Sequence, residues 1–91
     1  RVRALIAAQK PKLTAGLRAL GLRVIEGRAN YLLFRAPEAL GEALRHKGAV
    51  LRSCGNYPGL DASWYRTAVR TENENRQLLA LLAETLPEVA Q

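Results

Sequence analysis

The residues best equipped for chemistry in this 91-residue sequence are arginines, which supply 11 of its 14 basic residues. Arg52 closes the segment Gly48-Ala49-Val50-Leu51-Arg52. Arg66 sits inside an alternating one, Trp64-Tyr65-Arg66-Thr67-Ala68-Val69-Arg70. Between them residues 53–61 are rich in Gly, Asn and Pro, the composition of a loop. A guanidinium presents a planar fork that matches a carboxylate or a phosphate in bidentate fashion. Two of them at neighbouring strand ends can converge on one anion. Spacing alone leaves the alternative of two solvated surface arginines open, and Arg23, Arg28 and Arg35 read as solvent-facing.

Other chemistries find less support. His46 and Cys54 each occur once, with no second ligand at metal spacing. His46 falls in the last turn of an expected helix, where its charge suits the helix dipole. Cys54 has no partnered base nearby and reads as a wall residue of a loop or pocket. A single cysteine cannot close an internal disulfide. No phosphate-binding loop or dinucleotide glycine fingerprint occurs. No catalytic, cofactor-binding or metal residue is therefore assigned.

Composition narrows the classes further. With 48% hydrophobic and 24% charged residues the chain is a globular one. Its length suffices for one domain, which buries roughly 60–65% of the unfolded chain's surface. No apolar run approaches the roughly 20 residues of a membrane span. The net charge of +6 points to anionic ligands, a polyanion or an acidic partner face. A stand-alone basic module binding nucleic acid is the rival reading. Aromatics at 5% and the lack of an aromatic RNA-binding signature on a strand count against it. The sequence contains no methionine and opens as the interior of a helix, so a piece of a longer protein is expected.

The elements that must position the arginines follow from periodicity. Residues 1–20 carry helical spacing, with Pro11 predicting either a break near Gln9 or one kinked helix. Short strands are expected near 22–25, 30–35, 49–52 and 65–70. The second is almost wholly apolar, which predicts a central position buried on both faces. Pro37 marks a helix start and Gly48 its end. Thr71 with Glu74 three residues on forms a capping box for a last, leucine-rich helix that stops near Pro87. The order α-β-β-α-β-β-α predicts an α+β fold: a small, mostly antiparallel sheet of three to four strands with helices packed on one face.

Three stretches carry a family resemblance. Arg28-Ala29-Asn30-Tyr31-Leu32-Leu33-Phe34 resembles the "AN-aromatic-hydrophobic" segment of fold-type-I pyridoxal-phosphate (PLP) enzymes. Gly48-Ala49-Val50-Leu51-Arg52 resembles their glycine-to-arginine strand. Tyr65-Arg66-Thr67-Ala68-Val69-Arg70-Thr71, followed by Glu74-Asn75, resembles their closing strand and "EN" helix. The chain thus resembles the C-terminal small domain of the histidinol-phosphate aminotransferase group. Arg52-Ser53-Cys54-Gly55-Asn56-Tyr57 and Tyr65-Arg66-Thr67-Ala68-Val69-Arg70 look more like its threonine-phosphate decarboxylase branch in cobalamin biosynthesis. The aminotransferases usually have glycine where Arg70 stands. Gly27, where the family often has serine, and Pro11 depart from the pattern.

The resemblance implies a division of labour. PLP, its Schiff-base lysine and its phosphate cup belong to a large domain of the same chain, and Lys10, Lys12 and Lys47 match no lysine motif of the family. The 91 residues form one substrate-binding domain that neither binds PLP nor turns over alone. Arg66 matches the arginine that grips the substrate carboxylate, Arg52 one that holds its anionic end, and Asn30 lies on the segment facing the pocket. Arg70, Asn56 and Cys54 are further candidates. The implied partners are a phosphorylated amino-acid substrate, the large domain and a second copy in a homodimer. A cytoplasmic setting, without membrane or specific nucleic acid, is implied as well.

Overall fold

Alternating burial on short strands and leucines at helical spacing build the layers seen in the computed structural model, which describes residues 2–27, 30–55 and 57–89. Helix α1 (Val2–Ala19) leads into β1 (Arg23–Glu26) and β2 (Tyr31–Arg35). Then come α2 (Leu40–His46), β3 (Arg52–Ser53), β4 (Trp64–Ala68) and α3 (Glu72–Val89). The sheet order is β1-β2-β4-β3, and all its pairs are antiparallel. The predicted α+β order therefore holds.

Val24, Leu32, Phe34, Tyr65 and Thr67 point to one face of the sheet and are buried. Leu13 and Leu17 of α1, Leu40 and Leu44 of α2, and Leu82 of α3 close the same core. The Phe34 and Tyr65 rings stack with centroids 5.8 Å apart. The Tyr65 hydroxyl donates to the Glu38 carbonyl (2.9 Å) and accepts from the Gly41 N–H (3.1 Å), pinning the start of α2 to the sheet. Burial pushes this phenol's pKa up, so it stays a neutral donor.

One alternative is decided and four expectations are corrected. Of a break or one helix at Pro11 the single helix holds, because Gln9, Leu13 and Leu17 on the inner face of α1 are all buried while Pro11 faces solvent. β2 is central but not buried on both faces: Leu32 and Phe34 are sealed, whereas Tyr31 and Leu33 are half-exposed on the other side. The third strand starts at Arg52, not near 49. Ala49 and Leu51 pack on the core instead, Val50 is 81% exposed, and a cleft separates this stretch from Thr67 and Ala68. Burial, not ladder bonding, sets the path of residues 49–51. Finally, α3 continues past Pro87 to Val89. Lys47 bridges Glu84 (3.2 Å) and Glu88 (2.9 Å), and Leu86 and Val89 pack on the core, which together hold the last turn. Helix α2 also begins later than Pro37, after a turn closed by the Leu40 N–H on the Pro37 carbonyl.

Candidate functional site: an arginine pair on the open sheet face

The face that no helix covers carries Ile25, Tyr31, Leu33, Trp64, Arg66 and Ala68 in cross-strand register. Arg52 on β3 stands directly opposite Arg66 on β4. Residues so paired share a face and lie about 5 Å apart at Cα, and like charges in that position repel. Among the described residues no carboxylate lies within ion-pair distance of either arginine. Two like charges side by side without an ion-pair partner among the described residues can be satisfied by an anion.

Arg66 is half-buried and held from two sides. Its Cζ lies 5.2 Å from the centroid of the Tyr31 ring, and its Nη1 donates to the Tyr57 hydroxyl at 2.8 Å. Stacking and a directed bond restrict the guanidinium while leaving other N–H groups for a ligand. Beside the pair opens a cleft of about 570 Å³, lined by Arg52, Arg66 and Arg70 with Glu74, Asn75 and Gln77 of α3.

Arg70 is set by α3. Its N–H donates to Asn75 Oδ1 (3.1 Å), and Asn75 Nδ2 donates back to the Arg70 carbonyl (2.9 Å). Asn75 is buried, so this two-bond clamp fixes the backbone from which Arg70 projects. One residue earlier the capping box forms as expected. The Glu74 N–H donates to Thr71 Oγ1 (3.2 Å), and the Thr71 N–H donates to Glu74 Oε1 (3.3 Å). The Glu74 carboxyl is held below its ordinary pKa by its bonds to Thr71, with Arg70 adding to the effect.

The other candidates are placed less centrally. Cys54 is a buried free thiol just after β3. Burial pushes its pKa up and Arg66 opposes that shift, so the group is a neutral wall and not a nucleophile. Asn30 is exposed at the start of β2. Its carbonyl accepts the Val69 N–H at 2.7 Å, outside the cleft. Asn56 and Arg28 lie outside the described residues. Sequence reasoning assigned no role to Tyr31, Tyr57 and Asn75, although each stands within one of the stretches that carry the family resemblance.

Metal and cofactor chemistry were tested on the same geometry. Among the described residues no group of three His, Cys, Asp or Glu side chains could hold a metal ion. The lysines lie away from the cleft. Lys47 engages Glu84 and Glu88, Lys10 donates to the Gly27 carbonyl (3.3 Å) behind α1, and Lys12 is exposed on α1. The cleft's guanidiniums suit an anionic ligand and do not fit an aldehyde cofactor that needs a lysine amine. Among the described residues no helix is long and apolar enough to cross a membrane.

With this geometry in view, comparison with known proteins defines the class. Residues 1–82 match the aminotransferase class I and II family, and the chain belongs to it. Members of the family depend on PLP. Over 72 residues the chain is 44% identical to the threonine-phosphate decarboxylase of Salmonella typhimurium, covering 76% of this chain and 20% of that protein. It is 39% identical over 69 residues to the histidinol-phosphate aminotransferase of Methanothermobacter thermautotrophicus, covering 69% and 18%. Among solved structures, the histidinol-phosphate aminotransferase from Clostridium acetobutylicum superposes with a TM-score of 0.82 at 29% identity, over 91% of this chain and 27% of that one. The L-threonine-O-3-phosphate decarboxylase from Porphyromonas gingivalis has the same fold, with a TM-score of 0.69 at 21% identity over 86% and 25%. The chain spans about a fifth of the length of the curated relatives it matches.

Proposed function

We propose that this chain is the substrate-binding C-terminal domain of a PLP-dependent threonine-phosphate decarboxylase, acting in cobalamin biosynthesis in the cytoplasm as a homodimer. The observation that carries the reading is the unneutralised pair of Arg52 and Arg66 on the open sheet face. The 44% identity to a threonine-phosphate decarboxylase supports it. In this reading a large domain, outside these residues, covers that face and would hold PLP, which would supply an electron sink. Arg66 grips the substrate carboxylate as a bidentate fork, and Arg52 holds the phosphate. Arg70 adds a third cation at the same cleft. Their joint task would be to set the orientation in which the substrate carboxylate is presented, and that orientation would decide whether the carboxylate or the Cα proton is lost.

The second reading, a histidinol-phosphate aminotransferase, is favoured by the TM-score of 0.82 to one such enzyme. One assay separates the two. The full-length protein carrying this chain, given O-phospho-L-threonine, should release CO2 and form aminopropanol phosphate without a keto-acid acceptor. An absolute need for an acceptor, with the amino group transferred, would establish the aminotransferase instead. Arg66→Ala should lower kcat/KM by roughly 30- to 1000-fold, the cost of losing a desolvated charge pair. An unchanged kcat/KM would remove Arg66 from the site.

A further inference from the structure

We infer that Tyr57 is the positioning residue for Arg66, and that the loop after β3 serves to deliver it. The kinetic part of this inference rests on the reading of Arg66 as a substrate-binding group; the structural part does not.

A guanidinium on a strand surface has several long, flexible torsions, and ordering them costs free energy whenever a ligand is bound. Here the ordering is done in advance. The guanidinium lies over the Tyr31 ring, 5.2 Å from its centroid, a contact that holds it from one side but does not direct its individual N–H groups. The 2.8 Å bond from Nη1 to the Tyr57 hydroxyl supplies that direction. It also occupies one N–H and leaves the opposite edge of the fork for a carboxylate. Because the Tyr57 oxygen accepts from a cation, its own proton is polarised and available to an anion alongside the fork.

The loop is built to place this phenol. The Cys54 N–H donates to the Trp64 carbonyl (2.8 Å), tying the loop's first residue to β4 next to Tyr65 and Arg66. The Tyr57 N–H then donates to the Cys54 carbonyl (2.9 Å), and the Leu60 N–H to the Tyr57 carbonyl (3.1 Å). Gly59, at φ 82°, makes the turn that follows. At the far end Asp61 accepts from both the N–H and the hydroxyl of Ser63, which returns the chain to β4. The loop is thus tied to β4 at both ends, with Tyr57 at the point that reaches Arg66. Tyr57 is 38% exposed, so it is not a core residue held by burial alone.

The test uses Tyr57→Phe, which keeps the ring and removes only the hydroxyl, alone and combined with Arg66→Lys in the full-length protein. Calorimetry with O-phospho-L-threonine should show about tenfold weaker binding for Y57F, the usual effect of losing one charge-assisted bond. KM should rise by a similar factor with kcat within about twofold, a split that a merely structural change would not give. In the R66K background the same substitution should cost less than about twofold, since its target fork is gone. An unchanged dissociation constant for Y57F, or an undiminished loss in the R66K background, would overturn the inference. A crystal structure of Y57F without substrate decides the structural part even if the protein turns over neither phosphorylated substrate. The Arg66 guanidinium should swing from its wild-type orientation over Tyr31, and an unmoved guanidinium would refute the positioning role.

Discussion

At the scale of single residues, the site uses neutral partners to manage charge. Tyr31 and Tyr57 hold Arg66 without neutralising it, and Cys54 sits close enough to feel its field. The thiol's two influences oppose each other, and burial is the larger. Cys54 should therefore stay protonated at neutral pH and react poorly. Against a thiol-specific disulfide reagent near pH 8, the native protein should react more than about tenfold slower than the unfolded chain. Equal rates would mean that Cys54 is accessible and that Arg66 prevails. The sequence announced the arginines because residue type alone suggests their chemistry. It did not announce Tyr57, whose contact with Arg66 exists only because the intervening loop folds back on β4.

At the scale of elements, the junction of β4 and α3 does two jobs. Thr71 and Glu74 satisfy the first turn of α3, and Asn75 clamps Arg70 at the cleft. Thr71→Ala should cost about 1 kcal/mol of folding stability, as for other N-cap losses. The effect depends on pH in a fixed direction. The folded-state pKa of Glu74 lies below its ordinary value, so its stabilisation is present above that ordinary value and is lost as pH falls through the folded one. Urea unfolding should show a clear gap between wild type and T71A at pH 7 and a narrower one near pH 3. A gap that widens on acidification would contradict the capping geometry. This junction was legible in the sequence because a capping box is local, its partners three residues apart. The third strand was not. The segment 49–52 has strand-like residues, but pairing needs a neighbour, and the tertiary pull on Ala49 and Leu51 leaves only Arg52 and Ser53 in the ladder. Pro11 and Pro87 stay inside helices because neighbouring contacts, buried Gln9 and Leu13 around Pro11 and the Lys47 pairs with Glu84 and Glu88 beside Pro87, outweigh one lost backbone bond.

At the scale of the whole molecule, all three helices stand on one side of the sheet and leave the other side open. The layers and the chain order of the elements follow from short apolar or alternating runs set between amphipathic helices, which is why the architecture could be read in advance. The half-exposed face was harder to foresee, since Tyr31 and Leu33 look like core residues and are buried here only in part. The short β3 has one more effect. Beyond Arg66, among the described residues no strand pairs with Thr67 and Ala68 on that side, so their backbone groups form a strand edge beside the exposed Val50. Such an edge is a template on which another chain can grow. Arg52, Arg66 and Arg70 line it with like charge, and two copies meeting there would set guanidinium against guanidinium. The basic residues proposed to bind an anion would thus also act as gatekeepers against aggregation. Salt should weaken them: at about 1 M, where charges are screened beyond roughly 3 Å, light scattering should detect larger assemblies than at 0.05–0.1 M. Arg52→Ala should lower the salt at which they appear, and an assembly state indifferent to both would deny the arginines this protective part.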